Sequence, residues 1–165
     1  LSASQARAQG GVAGLGLVPL VGAQLARDAR AGDVASGAPN DLHTYPLAAQ
    51  VHWAAEGARL ATAHVLGAQP VPVASDAKSF AELCRRIDVT IAYLRGISAT
   101  DLEAGLGRTI MIEHRRGSMS SSGGQFLLAF AIPHFFYHVT TAYGILRNQG
   151  VQLTMGDFLG NWGKS

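Results

Sequence analysis

The sequence predicts an all-α protein, a four-helix bundle with one small β-hairpin between its third and fourth helices. Three observations carry that prediction. Apolar residues recur at three- and four-residue spacing in four separate stretches. Glycine and proline stand at the ends of those stretches, where helices stop. One segment, Arg108 to Ser121, switches to a two-residue alternation, the mark of paired strands. Helices of these lengths can hide their apolar stripes only by packing on one another.

The first helix is expected over residues 3–30, with Val12, Leu15, Val18, Val21 and Leu25 as its stripe. Pro19 should kink it, because it lacks a backbone donor and crowds the carbonyl of Leu15. A loop follows from Arg30 to Leu42. The second helix runs from about Thr44, a capping residue, to Leu66, with Pro46 in its first turn and a stop at Gly67. Leu47, Val51, Ala54, Ala58, Ala61 and Val65 form its stripe. Gln50 lies at the edge of that stripe, as would His43 if the helix began one turn earlier. His52, Glu56 and Arg59 fall on the opposite side and read as solvated.

After an extended connector, Ala68 to Ala74, a third helix is expected from Ser75 or Asp76 to Leu94, using Phe80, Leu83, Ile87, Ile91 and Leu94. Cys84 beside this stripe reads as a small buried filler. Gly96 ends the helix, and Ser98 to Asp101 begins a short helical turn. In the hairpin, Ile110 and Ile112 alternate with Thr109, Met111 and Glu113, and Arg-Arg-Gly-Ser supplies the turn. Ser122 or Gly123 opens the fourth helix. The tail, from Val151, is expected to be loop-like, anchored by Leu153, Phe158 and Trp162.

The composition narrows the function. Hydrophobic residues at 48% against 15% charged exclude a disordered chain, and 165 residues suffice for one domain, 1–165, with one core. A formal charge of +2 with no basic cluster beyond Arg85-Arg86 and Arg115-Arg116 argues against nucleic acid as a partner. The uncharged stretch Ala8 to Ala26 is too short and too rich in glycine for a membrane span, so no membrane partner is expected. A single cysteine excludes an internal disulfide and suits a cytoplasmic location.

The fourth helix carries the candidate site. Phe126 to Arg147 is a long apolar run with His134 and His138 four residues apart, which puts both rings on one face, one turn apart. Phe130 and Thr141 share that face, the side that should point at a core. Pro133 should kink the helix just before His134, freeing the carbonyl of Ala129. Two imidazoles on an inward face either bind something or are core residues satisfied by hydrogen bonds. Phe135 stands where a general-base glutamate would follow His134, which argues against a zincin-like peptidase.

Several segments together resemble an uncharacterised family of the DinB-like four-helix-bundle proteins, which includes YfiT-like members. PHFFYHVTTAYGILRNQGV followed by GDFLG is similar to that family's C-terminal signature. YPLAAQV from Tyr45 and FAELCRRI from Phe80 are similar to its helix-2 and helix-3 segments, and Gln5 and Gly14-Leu15 keep its helix-1 spacing. The resemblance implies a bundle in which helices 2 and 3 run in the same direction, often as a homodimer. It also implies a divalent metal held by a helix-2 histidine and a later His-x-x-x-His pair, with thiol-dependent transferases and isomerases among the wider group. The closer family has asparagine where this chain has His134, so this chain presents the metal-binding pair of the wider group.

The helix-2 ligand stays open. His52 has the wider group's separation from the pair, Gln50 the better angle, and His43 a similar angle about two turns, or about 10 Å, away. Zinc takes three protein ligands plus water in catalytic sites, and imidazole also suits nickel, copper and iron. The expectation is a small-molecule enzyme or binding protein with a pocket between helices 2 and 4. His134 and His138 would hold zinc or nickel, or act as acid and base without a metal. Gln50, His52, His43 and Tyr137 would line the substrate wall. Transfer, isomerisation and hydrolysis all fit. The alternative is a non-catalytic dimeric helical protein with structural core histidines.

Overall fold

A computed structural model describes residues 45–69, 79–114 and 117–159 of the chain. The expected first helix, Ala8 to Ala26 within it, Thr44, His43, Ser75, Asp76 and Trp162 lie outside those residues. The described part is mostly helical with one antiparallel two-stranded ribbon, as the periodicities predict.

Helix α1 (Leu47–Leu66) corresponds to the second expected helix. Pro46 stands at its cap with φ −57° and ψ 160°, not inside its first turn, and its carbonyl accepts the first N–H bonds, from Ala49 and Gln50. At the other end Gly67 takes φ 67°, the left-handed conformation that closes helices and that glycine adopts without strain. The guanidinium of Arg108 lies over Gly67 and donates from Nε to the carbonyl of Val65, 3.3 Å away, tying the hairpin's foot to the end of α1.

Helix α2 (Phe80–Arg95) begins at a capping box: the Glu82 N–H donates to Ser79 Oγ, and the Ser79 N–H to Glu82 Oε2. Ser79 therefore caps this helix, later in the chain than the expected Ser75 or Asp76. Arg86 on α2 meets His52 on α1, and Tyr93 meets Arg59. Because one pair lies seven residues beyond the other on both helices, α1 and α2 run in the same direction. Arg59 is 9% exposed and bonded to Glu56 at 2.8 Å. The side of α1 expected to be solvated is thus covered by α2. A helix packed on two neighbours buries polar residues opposite its apolar stripe, and these are paired there.

Ser98 caps the short helix α3 (Ala99–Gly105). Strands β1 (Thr109–His114) and β2 (Gly117–Ser122) pair antiparallel, from Thr109 opposite Ser122 to His114 opposite Gly117. The alternation is realised: Ile110 is buried with Ala61, Val65 and Phe126, while Met111 points outward.

Three stretches then follow in unbroken helical conformation: α4 (Gly123–Phe126), a wider π turn (Leu127–Ala131) and α5 (Ile132–Asn148). Ser122 and Gln125 form the capping box at their start. In the π turn the Ile132 N–H reaches back five residues to the carbonyl of Leu127. The next residue, Pro133, has no N–H to offer either Leu128 or Ala129, and the ladder changes register where it stands.

Helix α5 lies antiparallel along α1. Leu47 packs with Ala142, Ile145 and Leu146; Ala54 with Phe135 and Val139; Ala61 and Val65 with Phe126 and Ala131. The tail, expected as loop, contains a further short helix, α6 (Met155–Leu159), opened by Thr154 and Asp157. The Thr154 N–H and hydroxyl both donate to Asp157 Oδ2 at 2.7 Å. Leu153 and Phe158 do serve as apolar anchors, packing with the α1–α5 seam. Among the described residues no helix is long and apolar enough to cross a membrane.

Candidate functional site

The antiparallel seam of α1 and α5 brings Gln50 against His138. Gln50 is fully buried and His138 is 5% exposed. The Gln50 amide nitrogen donates to the carbonyl of Tyr45 at 3.1 Å, which turns its oxygen towards α5. That oxygen lies 2.6 Å from His138 Nδ1. An amide oxygen only accepts, so Nδ1 carries the hydrogen and His138 Nε2 keeps its lone pair. This Nε2 faces His134 Nε2 at 3.3 Å, with the two rings steeply inclined at 74°.

His134 is half-buried. Its ring stacks on Phe130, centroids 5.5 Å apart, and Phe130 stacks on Phe126. Phe130 does not point into the core as expected: it is 44% exposed. The stacking on His134 realises the shared face that the four-residue spacing predicts; what differs is burial, since this face is open to solvent at Phe130. Tyr137 is largely exposed and sets its ring edge to face against His138 at 5.1 Å.

Burial lowers the pKa of both site histidines below the ordinary 6.5. His134 is lowered by desolvation, and His138 is lowered to about 4 by desolvation and then by the adjacent His134. Both rings are neutral at neutral pH. A neutral imidazole with a free nitrogen lone pair can ligate a cation without first losing a proton.

His52 does not join the pair. Two residues beyond Gln50, it is turned towards α2, where Arg86 Nη1 donates to its Nδ1 at 2.5 Å. Desolvation, then the Arg86 charge, lowers its pKa, with Glu56 opposing. Among the described residues no group of three or more His, Cys, Asp or Glu side chains converges, so these residues offer two imidazole nitrogens to an ion. Two site features have no counterpart in the sequence expectations. Gly57 on α1 faces the His134 ring, and Arg86 anchors His52. A glycine in mid-helix, seven residues and hence two turns from Gln50, is the signal that points to Gly57.

A parallel α1–α2 pair, a ribbon before the last long helix and paired histidines on the α1–α5 seam define a DinB-like helical bundle. A crystal structure of a DinB family member protein from Shewanella denitrificans superposes on this fold with a TM-score of 0.75. Its sequence is 26% identical, over 95% of this chain and 96% of that chain. A family described as a domain of unknown function (DUF1993) matches residues 19–159, and the chain belongs to that family. No curated protein matches the chain.

Proposed function

We propose that this protein binds a divalent metal, zinc or nickel, through Nε2 of His134 and of His138, and acts on a small molecule at that ion. The 3.3 Å between the two nitrogens carries the proposal. Two imidazole nitrogens on one tetrahedral zinc, each about 2.0–2.1 Å from it, stand about 3.3 Å apart. A ring-to-ring hydrogen bond is usually shorter. The Gln50 oxygen on His138 Nδ1 is the outer contact that metal-bound histidines commonly make, because it fixes the tautomer and the ring's direction. When bound, such an ion lowers the pKa of a coordinated water or thiol and so supports transfer, isomerisation or hydrolysis.

This chain's own residues hold and orient. Gln50 is an orienting partner in this proposal, and Tyr137 and Phe130, exposed beside the rings, are the wall a substrate would touch. A third donor falls to residues outside the described ones. His43 is the candidate, standing two residues, about 7 Å of chain, before Tyr45, whose carbonyl holds Gln50. His52, engaged with Arg86, contributes to helix packing instead.

A second reading has support in the same contacts. Tyr45, Gln50, His138 and His134 form a continuous hydrogen-bonded chain that satisfies both nitrogens of His138 and Nε2 of His134 without an ion, as structural core histidines require. Titrating metal-free protein with Zn2+ and with Ni2+ separates the two. Saturable binding in the parent that is lost in both His134→Ala and His138→Ala supports the metal site. Absence of binding in the parent leaves the structural role. Homodimerisation is a separate proposal, supported by exposed Leu128, Ile132 and Phe136 at four-residue spacing and tested by sedimentation.

A further inference from the structure

We infer that Gly57 is a positioning residue: the missing side chain on α1 sets how closely the His134 ring approaches, and thereby the separation of the two Nε2 atoms. Gly57 sits in the interior of a 20-residue helix, where alanine is the better helix former. A Cβ built there meets His134 Nδ1 at 3.0 Å and Cε1 at 3.3 Å. Both contacts are tight enough that the ring would have to withdraw by a few tenths of an ångström. Gln50 and Gly57 lie two turns apart on the same face of α1, and the antiparallel partner presents His138 and His134 to them in turn. One α1 residue therefore seats its histidine by a hydrogen bond, the other by leaving room.

The backbone conformation of Gly57 needs no glycine, since it lies within regular helix and not at positive φ. What alanine would disturb is the ring. Because metal ligands must hold their distances to within about 0.2 Å, a displacement of this size matters at the site while mattering little to the fold. The inference concerns ring placement. Only its metal consequence rests on the proposed function.

Two measurements test it on the full chain. The first is a double-mutant cycle on chelator-treated protein with Gly57→Ala, His134→Ala and the double variant, followed by thermal midpoint. Where His134 is absent, the methyl group added by Gly57→Ala meets no ring, and the midpoint should rise by a few degrees through helix propensity. Where His134 is present, that rise should be absent or reversed. The second is Zn2+ affinity by chelator competition. Gly57→Ala should weaken it about 10- to 100-fold, the usual cost of disturbing what orients a ligand, with the midpoint no lower than that of His134→Ala. Equal midpoint shifts in both backgrounds would overturn the inference, and coupled shifts with unchanged zinc affinity in Gly57→Ala would overturn its metal consequence. Coupling between the two positions in a parent that binds no zinc would sustain the placement of the ring and refute the metal site.

Discussion

Gln50 Oε1 lies 2.6 Å from His138 Nδ1, a buried hydrogen bond across the α1–α5 seam between residues 88 positions apart. It does two things at once. It satisfies the one donor that a buried neutral imidazole must place, and it leaves the lone pair on the opposite nitrogen facing His134 Nε2.

Replacing Gln50 should therefore be costly in a specific way. Gln50→Ala leaves the His138 N–H buried without its partner and should destabilise the protein by about 1–3 kcal/mol. Gln50→Glu retains the acceptor and should cost less. Denaturant unfolding of both variants checks the order; because glutamate fills the volume of glutamine, equal losses would show that an acceptor for His138 is not what Gln50 contributes to stability.

The lowered histidine pKa values set the pH dependence of the metal-free fold. His138 takes its proton at about pH 4 when folded but near 6.5 when unfolded, and His134 and His52 shift in the same direction. Between those limits the unfolded chain binds more protons, so stability rises with pH through that window and levels off above it. Thermal midpoints measured from about pH 4.5 to about 7.5 in chelator should climb and then flatten. A midpoint that rises on acidification would contradict the assignment of neutral rings.

The His52–Arg86 contact belongs to the α1–α2 interface, away from the proposed ion. Arg86→Ala should lower stability by about 1–2 kcal/mol while zinc affinity stays at the parent value. A large loss of zinc binding in a folded Arg86 variant would bring His52 back as a ligand.

Leu146 is fully buried against Leu47 and Ile145, at the far end of the seam from the π turn. Leu146→Ala should cost about 2–5 kcal/mol by leaving a cavity. Stability by denaturant unfolding would test this, and a loss within experimental error would mean that this end of the seam is loosely packed.

Much of the fold could be read from spacing. The stripes of α1 and α5, the hairpin's alternation and the stop at Gly67 all follow local rules that the chain obeys. The His134–His138 pair and the edge position of Gln50 were legible for the same reason, since a regular helix makes angle predictable. Features that depend on distant neighbours were not. Nothing local to His52 reveals Arg86, 34 residues away, covering it. Phe130 does share the face of His134, but spacing alone does not reveal how much of that ring its neighbours leave exposed. The Thr154–Asp157 cap was present as a Thr-x-x-Asp pattern, but α6 is too short to show an apolar period.

The most direct test is elemental analysis of tag-free protein, parent beside the His134→Ala/His138→Ala double variant, after exposure to equimolar zinc and desalting. A metal site at His134 and His138 requires about one equivalent of metal retained by the parent and none by the double variant, with both folded by circular dichroism. Parent protein free of metal, or equal retention by both, would contradict it.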